Sequence, residues 1–234
     1  MTVHPRHLAP GLPERTRPYD VAWVDGAQPT WEVRDLPALP ALEAAVSILG
    51  RGAHVDVPGG TRAIEDLAPG DLVEGLDGPV PLDWIGTCDF EPDDDRPALF
   101  RIESHAFGAG RPAAPTLLGG GAHVLVEGEA TRAMIGAPRA FAPVEAGEDG
   151  MAVTRLQPAG VVTLYGLACA GTEAVRVGGL AVATWHPARA AASRLSSSGL
   201  SDLARLCPPV AREGFGPARI PQMTLTEARE VLLA

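Results

Sequence analysis

Between Ala53 and His186, short runs of alternating apolar and polar residues are separated by Gly and Pro turn signals, and this rhythm restricts the chain to many short strands. Val55 and Val57 alternate with polar neighbours before the turn at Pro58-Gly59-Gly60, and Ile64 to Leu67 leads into a second turn at Pro69-Gly70. Leu72-Val73, Pro81 to Ile85, Leu99 to Ile102, Ala122 to Val126, Val161 to Tyr165 and Ala174 to Val177 each fit a further strand. The 27 glycines and 23 prolines in 234 residues supply the punctuation such a fold needs. The expected class is mainly β, a compact coiled β-domain with a short helical C-terminal segment.

The flanks read differently. Residues 1–18 are rich in Pro, Arg and His without periodicity and suit a loose or partner-ordered arm. From Tyr19 to Val33, two β-like runs around Asp25-Gly26 and Pro29 suit a hairpin. In ALEAAVSILG, Leu42, Val46 and Leu49 are spaced for one face of a short helix ending at Gly50, and the segment fits a strand equally well. After Pro187, ARAAASRL and SDLARL are helix-forming, with Pro187 and Ser201 as starts and a Ser-Ser-Ser-Gly break between them. In TLTEAREVLLA, Thr224 and Glu227 stand at capping-box spacing. The expected division is an N-terminal extension over 1–47, a β-domain over 48–186 and a helical cover over 187–234.

Composition excludes several functions. A formal net charge of -10 argues against a nucleic-acid partner, because a phosphate backbone needs a basic face, and it favours solubility. There is no lysine, which removes Schiff-base catalysis and a phosphate-loop lysine. No apolar stretch is long enough for membrane insertion, and the N-terminus has no apolar core of a secretory signal. The expected location is the cytoplasm, or outside it by export without a classical signal peptide. Cys88, Cys169 and Cys207 are widely separated and suit small buried hydrophobes. His4 and His7 lie in the arm, and His54, His105, His123 and His186 are scattered, so no metal site is expected. Asp93-Asp94-Asp95 lacks the Gly and distal Glu of a calcium loop and reads as a solvated turn, and no cofactor motif is present.

One set of motifs is more specific. Gly52, Val55, Pro58-Gly59-Gly60, Arg62-Ala63-Ile64-Glu65-Asp66-Leu67, Pro69-Gly70-Asp71 and Trp84-Ile85-Gly86 occur in order, followed by GGGAHVLVEG and the tail GFGPARIPQMTLTEARE. Over about residues 48–230 this succession resembles the bacterial Hedgehog/intein (Hint) self-processing domains. The resemblance implies a Hint-like β-domain. It also implies a reaction in which a leading cysteine attacks the preceding carbonyl while a histidine protonates the leaving amine.

The matching positions do not carry that chemistry. Ile48 stands where the leading cysteine belongs, and it has no lone pair with which to attack. His123 matches the histidine of the second block, but Gly120 replaces the hydroxyl residue three positions earlier, and the GGG run suggests a flexible approach to it. Ala170 and Thr172 stand where a later acid–base pair is common, and His186 lies where a terminal strand could return to the cleft. Family splicing ends with a C-terminal asparagine cyclising, a step closed to a chain without asparagine.

Two functional classes remain. In the first, a degenerate Hint domain acts as a binding or structural module, its former cleft bordered by Ile48, Gly120, His123, Ala170, Thr172 and His186. Its partner would be a protein in a surface, secretion-associated or phage-like assembly. In the second, the domain cleaves its own chain at Val46-Ser47, with Ser47 as nucleophile and His123 as acid.

Overall fold

The computed structural model of the protein describes residues 15–26, 28–92, 96–170, 174–187, 195–211 and 217–233. In chain order the first elements are β1 (Thr16–Asp25), β2 (Gln28–Pro37), α1 (Pro40–Val46), β3 (Leu49–Gly50), β4 (His54–Val57) and β5 (Gly60–Ala63). Next come β6 (Leu72–Glu74), β7 (Pro79–Pro81), β8 (Trp84–Phe90), β9 (Leu99–Ile102), β10 (Thr116–Gly119), β11 (His123–Glu127) and α2 (Glu129–Ile135). The chain continues with β12 (Arg139–Pro143), β13 (Val153–Leu156), β14 (Val162–Ala168), β15 (Ala174–Val177), β16 (Leu180–Ala183), α3 (Ser197–Leu206) and α4 (Leu225–Leu232).

The architecture is mainly β. An eight-stranded sheet runs β13-β9-β10-β3-β14-β8-β1-β2, a six-stranded sheet runs β12-β11-β16-β15-β4-β5, and β6 pairs with β7. Named neighbours within these sheets are antiparallel. A large apolar cluster joins the two sheets, with Tyr19, Trp84, Phe90 and Phe100 fully buried beside Leu36, Leu42 and Leu49. Aromatic rings are few in this sequence, and their concentration here gives each a large share of the buried area.

The P-G-D turn is built by its own side chains. Asp71 Oδ2 accepts from the Ala68 amide at 2.9 Å and from Arg62 at 3.0 Å, so the carboxylate closes the loop after Ile64–Asp66, a 3-10 turn. Gly70 has φ of 97°, a conformation that a Cβ would strain.

Some expectations need correction. The segment from Ala53 to His186 is not wholly β, because α2 lies within it, between Gly128 and Gly136. Gly136, at φ of 74°, ends the helix in the left-handed conformation, a stop signal that a short helix makes easy to overlook. ALEAAVSILG divides into α1 and the two-residue β3 rather than forming one element. Helix α3 starts earlier than Ser201: Ser196 is its N-cap, accepting from the Gly199 amide at 3.2 Å, so the serines read as a break are its first turn. Most of ARAAASRL falls in residues 188–194, outside the described residues, as do residues 1–14, Asp93-Asp94-Asp95 and Thr172.

Both flanks are fastened to β8. Strand β1 pairs with it through Asp20↔Thr87 to Trp23↔Trp84, and Trp84 Nε1 donates to the Leu206 carbonyl at the end of α3 at 2.8 Å. Near the C-terminus, Phe141 donates to the Pro221 carbonyl and Met223 to that of Phe141, each at 2.9 Å. Helix α4 carries a complete capping box between Thr224 and Glu227.

Candidate functional site

Ser47 and Ile48 link α1 to β3, and backbone bonds hold them on both sides. The Ile48 amide donates to the Tyr165 carbonyl on β14 at 3.0 Å, while its carbonyl accepts from Gly119 at 2.9 Å. The Ser47 carbonyl accepts from the Gly121 amide at 2.8 Å. The Ser47-Ile48 peptide therefore lies between β14 and the glycine run that precedes β11, with Ile48 only 3% exposed.

The glycine run supplies room, which corrects the expectation of a flexible approach. A Cβ on Gly119 would overlap the Ser47 carbonyl oxygen, and one on Gly121 would overlap the Ala44 carbonyl oxygen and stand 2.8 Å from Ser47 Oγ. On the opposite side, a Cβ on Gly166 would overlap the Ala45 carbonyl oxygen. The end of α1 is thus seated against positions where only a residue without a Cβ fits.

Ile48 borders a cleft of about 180 Å³. One wall is Pro40, Ala41 and Ala44 of α1; Gly121 and His123 form another; Ala183, Thr184, Trp185 and His186 continue from β16; and Gln222 closes it from the C-terminal segment. His123 is positioned by β11, which pairs with β12 through His123↔Pro143 and with β16 through Val124↔Val182. His123 Nδ1 lies 3.1 Å from the Gly121 carbonyl oxygen. A carbonyl only accepts, so this contact places the proton on Nδ1 and, in the neutral ring, leaves a lone pair on Nε2. Trp185 is held through its amide, which donates to the Leu167 carbonyl at 2.8 Å, and its ring centroid lies 5.8 Å from that of Trp84. His186 is buried beside it.

The structure brings Ile48, His123 and His186 together around this cleft and places Ser47, Gly120 and Ala170 elsewhere. Ser47 lines a neighbouring recess with Glu43, Pro97, Ala98, Gly120 and Glu145, and it is not among the residues that line the His123 cleft. Gly120 donates to the Ala98 carbonyl at 2.7 Å. Ala170 is exposed in a turn after β14 and lines neither cavity. Thr184, Trp185 and Gln222 were missed in the sequence. TWHP drew notice only for its histidine, and no local signal carries Gln222 from the tail to α1.

Cys88, Cys169 and Cys207 are buried and free of disulfides. Burial pushes the thiols of Cys88 and Cys169 up to about 12, so neither is a thiolate near neutral pH. Among the described residues no group of three or more His, Cys, Asp or Glu side chains could hold a metal ion, and no helix is long and apolar enough to cross a membrane.

A family model described as Hint domain matches residues 49–189. No curated protein and no solved structure gives a match. The matched segment holds the residues from β3 to His186 that build most of the cleft, spans more than half of the sequence, and assigns this chain to the Hint domain family.

Proposed function

We propose that this Hint domain has lost self-processing and serves as a binding or structural module, with the cleft around Ile48, His123 and His186 as the contact region for a protein partner. The observation that carries this reading is Ile48. Its apolar side chain lines the cleft together with His123, and the resemblance aligns it with the thiol that the family reaction requires. Supporting it, Ser47 lines the other recess and is not among the residues of the His123 cleft. A mostly apolar cleft with a few polar groups suits recognition of another protein's side chain.

Denaturing intact-mass measurement after prolonged incubation with dithiothreitol and with hydroxylamine tests this. The expected result is a single species at the 24.3 kDa of the full chain. A fragment beginning at Ser47, abolished by Ser47→Ala, would establish autoprocessing at Val46-Ser47 instead. A fragment beginning at Ile48 would also overturn the proposal.

A further inference from the structure

Strand β2 is the last strand of the eight-stranded sheet, and among the described residues its outer edge has no paired strand. Its sequence is QPTWEVRDLP. The Ala38 amide donates to the Arg15 carbonyl at 2.7 Å, so even-numbered positions on this strand bond toward β1. Pro29 and Pro37, which have no N–H to give, occupy odd-numbered positions whose backbone groups point away from β1. Trp31, Val33 and Asp35 share that parity and present N–H and C=O groups to the open edge. Their side chains share one face of the sheet, and Trp31 and Val33 are 60% and 66% exposed. An edge of this length with exposed apolar side chains is a template for another strand.

We infer that β2 pairs antiparallel with β2 of a second copy of this chain, about a two-fold axis at Val33. The strand is complementary to itself in that register. Val33 meets Val33, Glu32 meets Arg34 of the second copy, Trp31 meets Asp35, and Pro29 meets Pro37, so the positions without N–H oppose one another at both ends. Trp31 then lies diagonally against Val33 of the second copy, which covers the strand's two exposed large apolar side chains. Moving the axis by one residue sets Glu32 against Glu32 or Arg34 against Arg34, and like charges directly opposite reject both registers.

Arg34 is held ready for this role. It donates to Glu32 through Nε at 2.9 Å and Nη2 at 2.7 Å, donates to the Arg205 carbonyl, and lies 4.9 Å from the Trp23 ring centroid. A side chain already fixed loses little further freedom on association. Seven residues between the prolines span about 24 Å, a small interface, so the dimer is concentration-dependent. The inference is independent of the cleft and holds whether or not the domain cleaves itself.

Sedimentation equilibrium on the full chain, from micromolar to near-millimolar concentration, tests it. The mass is expected to rise toward twice 24.3 kDa. Val33→Lys should weaken association by on the order of a hundredfold through opposed like charges, while the melting temperature of this exposed-site variant stays unchanged. The register is read by oxidative cross-linking, for which the three buried native cysteines give little background. Trp31→Cys and Asp35→Cys chains should cross-link when mixed and neither should do so alone. A chain that stays monomeric throughout, a dimer indifferent to Val33→Lys, or self-linking by Trp31→Cys alone would each overturn the inference.

Discussion

Gly121 and Gly166 press backbone against backbone at the end of α1, and the two positions leave no space for a methyl group. Gly121→Ala is expected to lower stability by about 1–3 kcal/mol, because the carbonyl of Ala44 must shift to admit the new Cβ. Gly120→Ala, whose Cβ would stand 3.2 Å from the Ala98 nitrogen, should cost less. Urea unfolding of the two variants beside the parent checks the order, and equal losses would mean the overlap is relieved cheaply. A glycine that grants conformational freedom and one that grants room look identical in a sequence, so GGG was legible as a special site and misread in kind. Ile48 stood out in the sequence because the resemblance aligns it with a cysteine, and in the fold it lines one cleft with His123. Gln222 and Pro40 were not, since only the folded chain brings residues so distant in sequence to one cleft.

Helix α1 is tied to β1 by a largely buried ion pair: Arg17 Nε donates to Glu43 Oε1 at 2.6 Å, with side chains 6% and 13% exposed. Arg17 also lies 5.0 Å from the Phe90 ring centroid. Glu43→Gln should destabilise the fold by about 3–5 kcal/mol, because it leaves a buried guanidinium without its counter-charge, and chemical denaturation measures this directly. At the loop before β13, Asp149 Oδ1 accepts from the amides of Met151 and Ala152 at 2.8 Å and of Val153 at 3.0 Å. These donors, Val153 foremost, hold its carboxyl below the ordinary value of 3.8. A depressed acid contributes its stabilisation above the unfolded value and loses it as pH falls through the folded one. Thermal melts between neutral pH and pH 2 should therefore show a loss below about 3.8 that Asp149→Asn flattens. Elements with a complete local signal, such as the Thr224–Glu227 box of α4, were legible in sequence. By contrast, α2 was not, because its apolar stripe is brief and its shape depends on packing against β11 and α4.

At the scale of the whole molecule, the first described strand is not peripheral. Strand β1 sits between β2 and β8, so removing the chain before Ile48 would strip β8 of a neighbour and take Val21, Trp23 and the apolar face of α1 out of the core. A truncated chain beginning at Ile48 is expected to be insoluble or unfolded by circular dichroism; a well-folded product would show the preceding segment to be an appendage. The pairing of Asp20 to Trp23 with β8 has a further consequence for any cut at residues 46–48. Breaking that one peptide bond removes none of the strand pairing or the apolar contacts of α1, so both pieces would stay together and elute as one particle. The two halves, expressed as separate polypeptides, should then find each other and rebuild the sheet, which makes this junction a natural place to split the protein into a complementing pair.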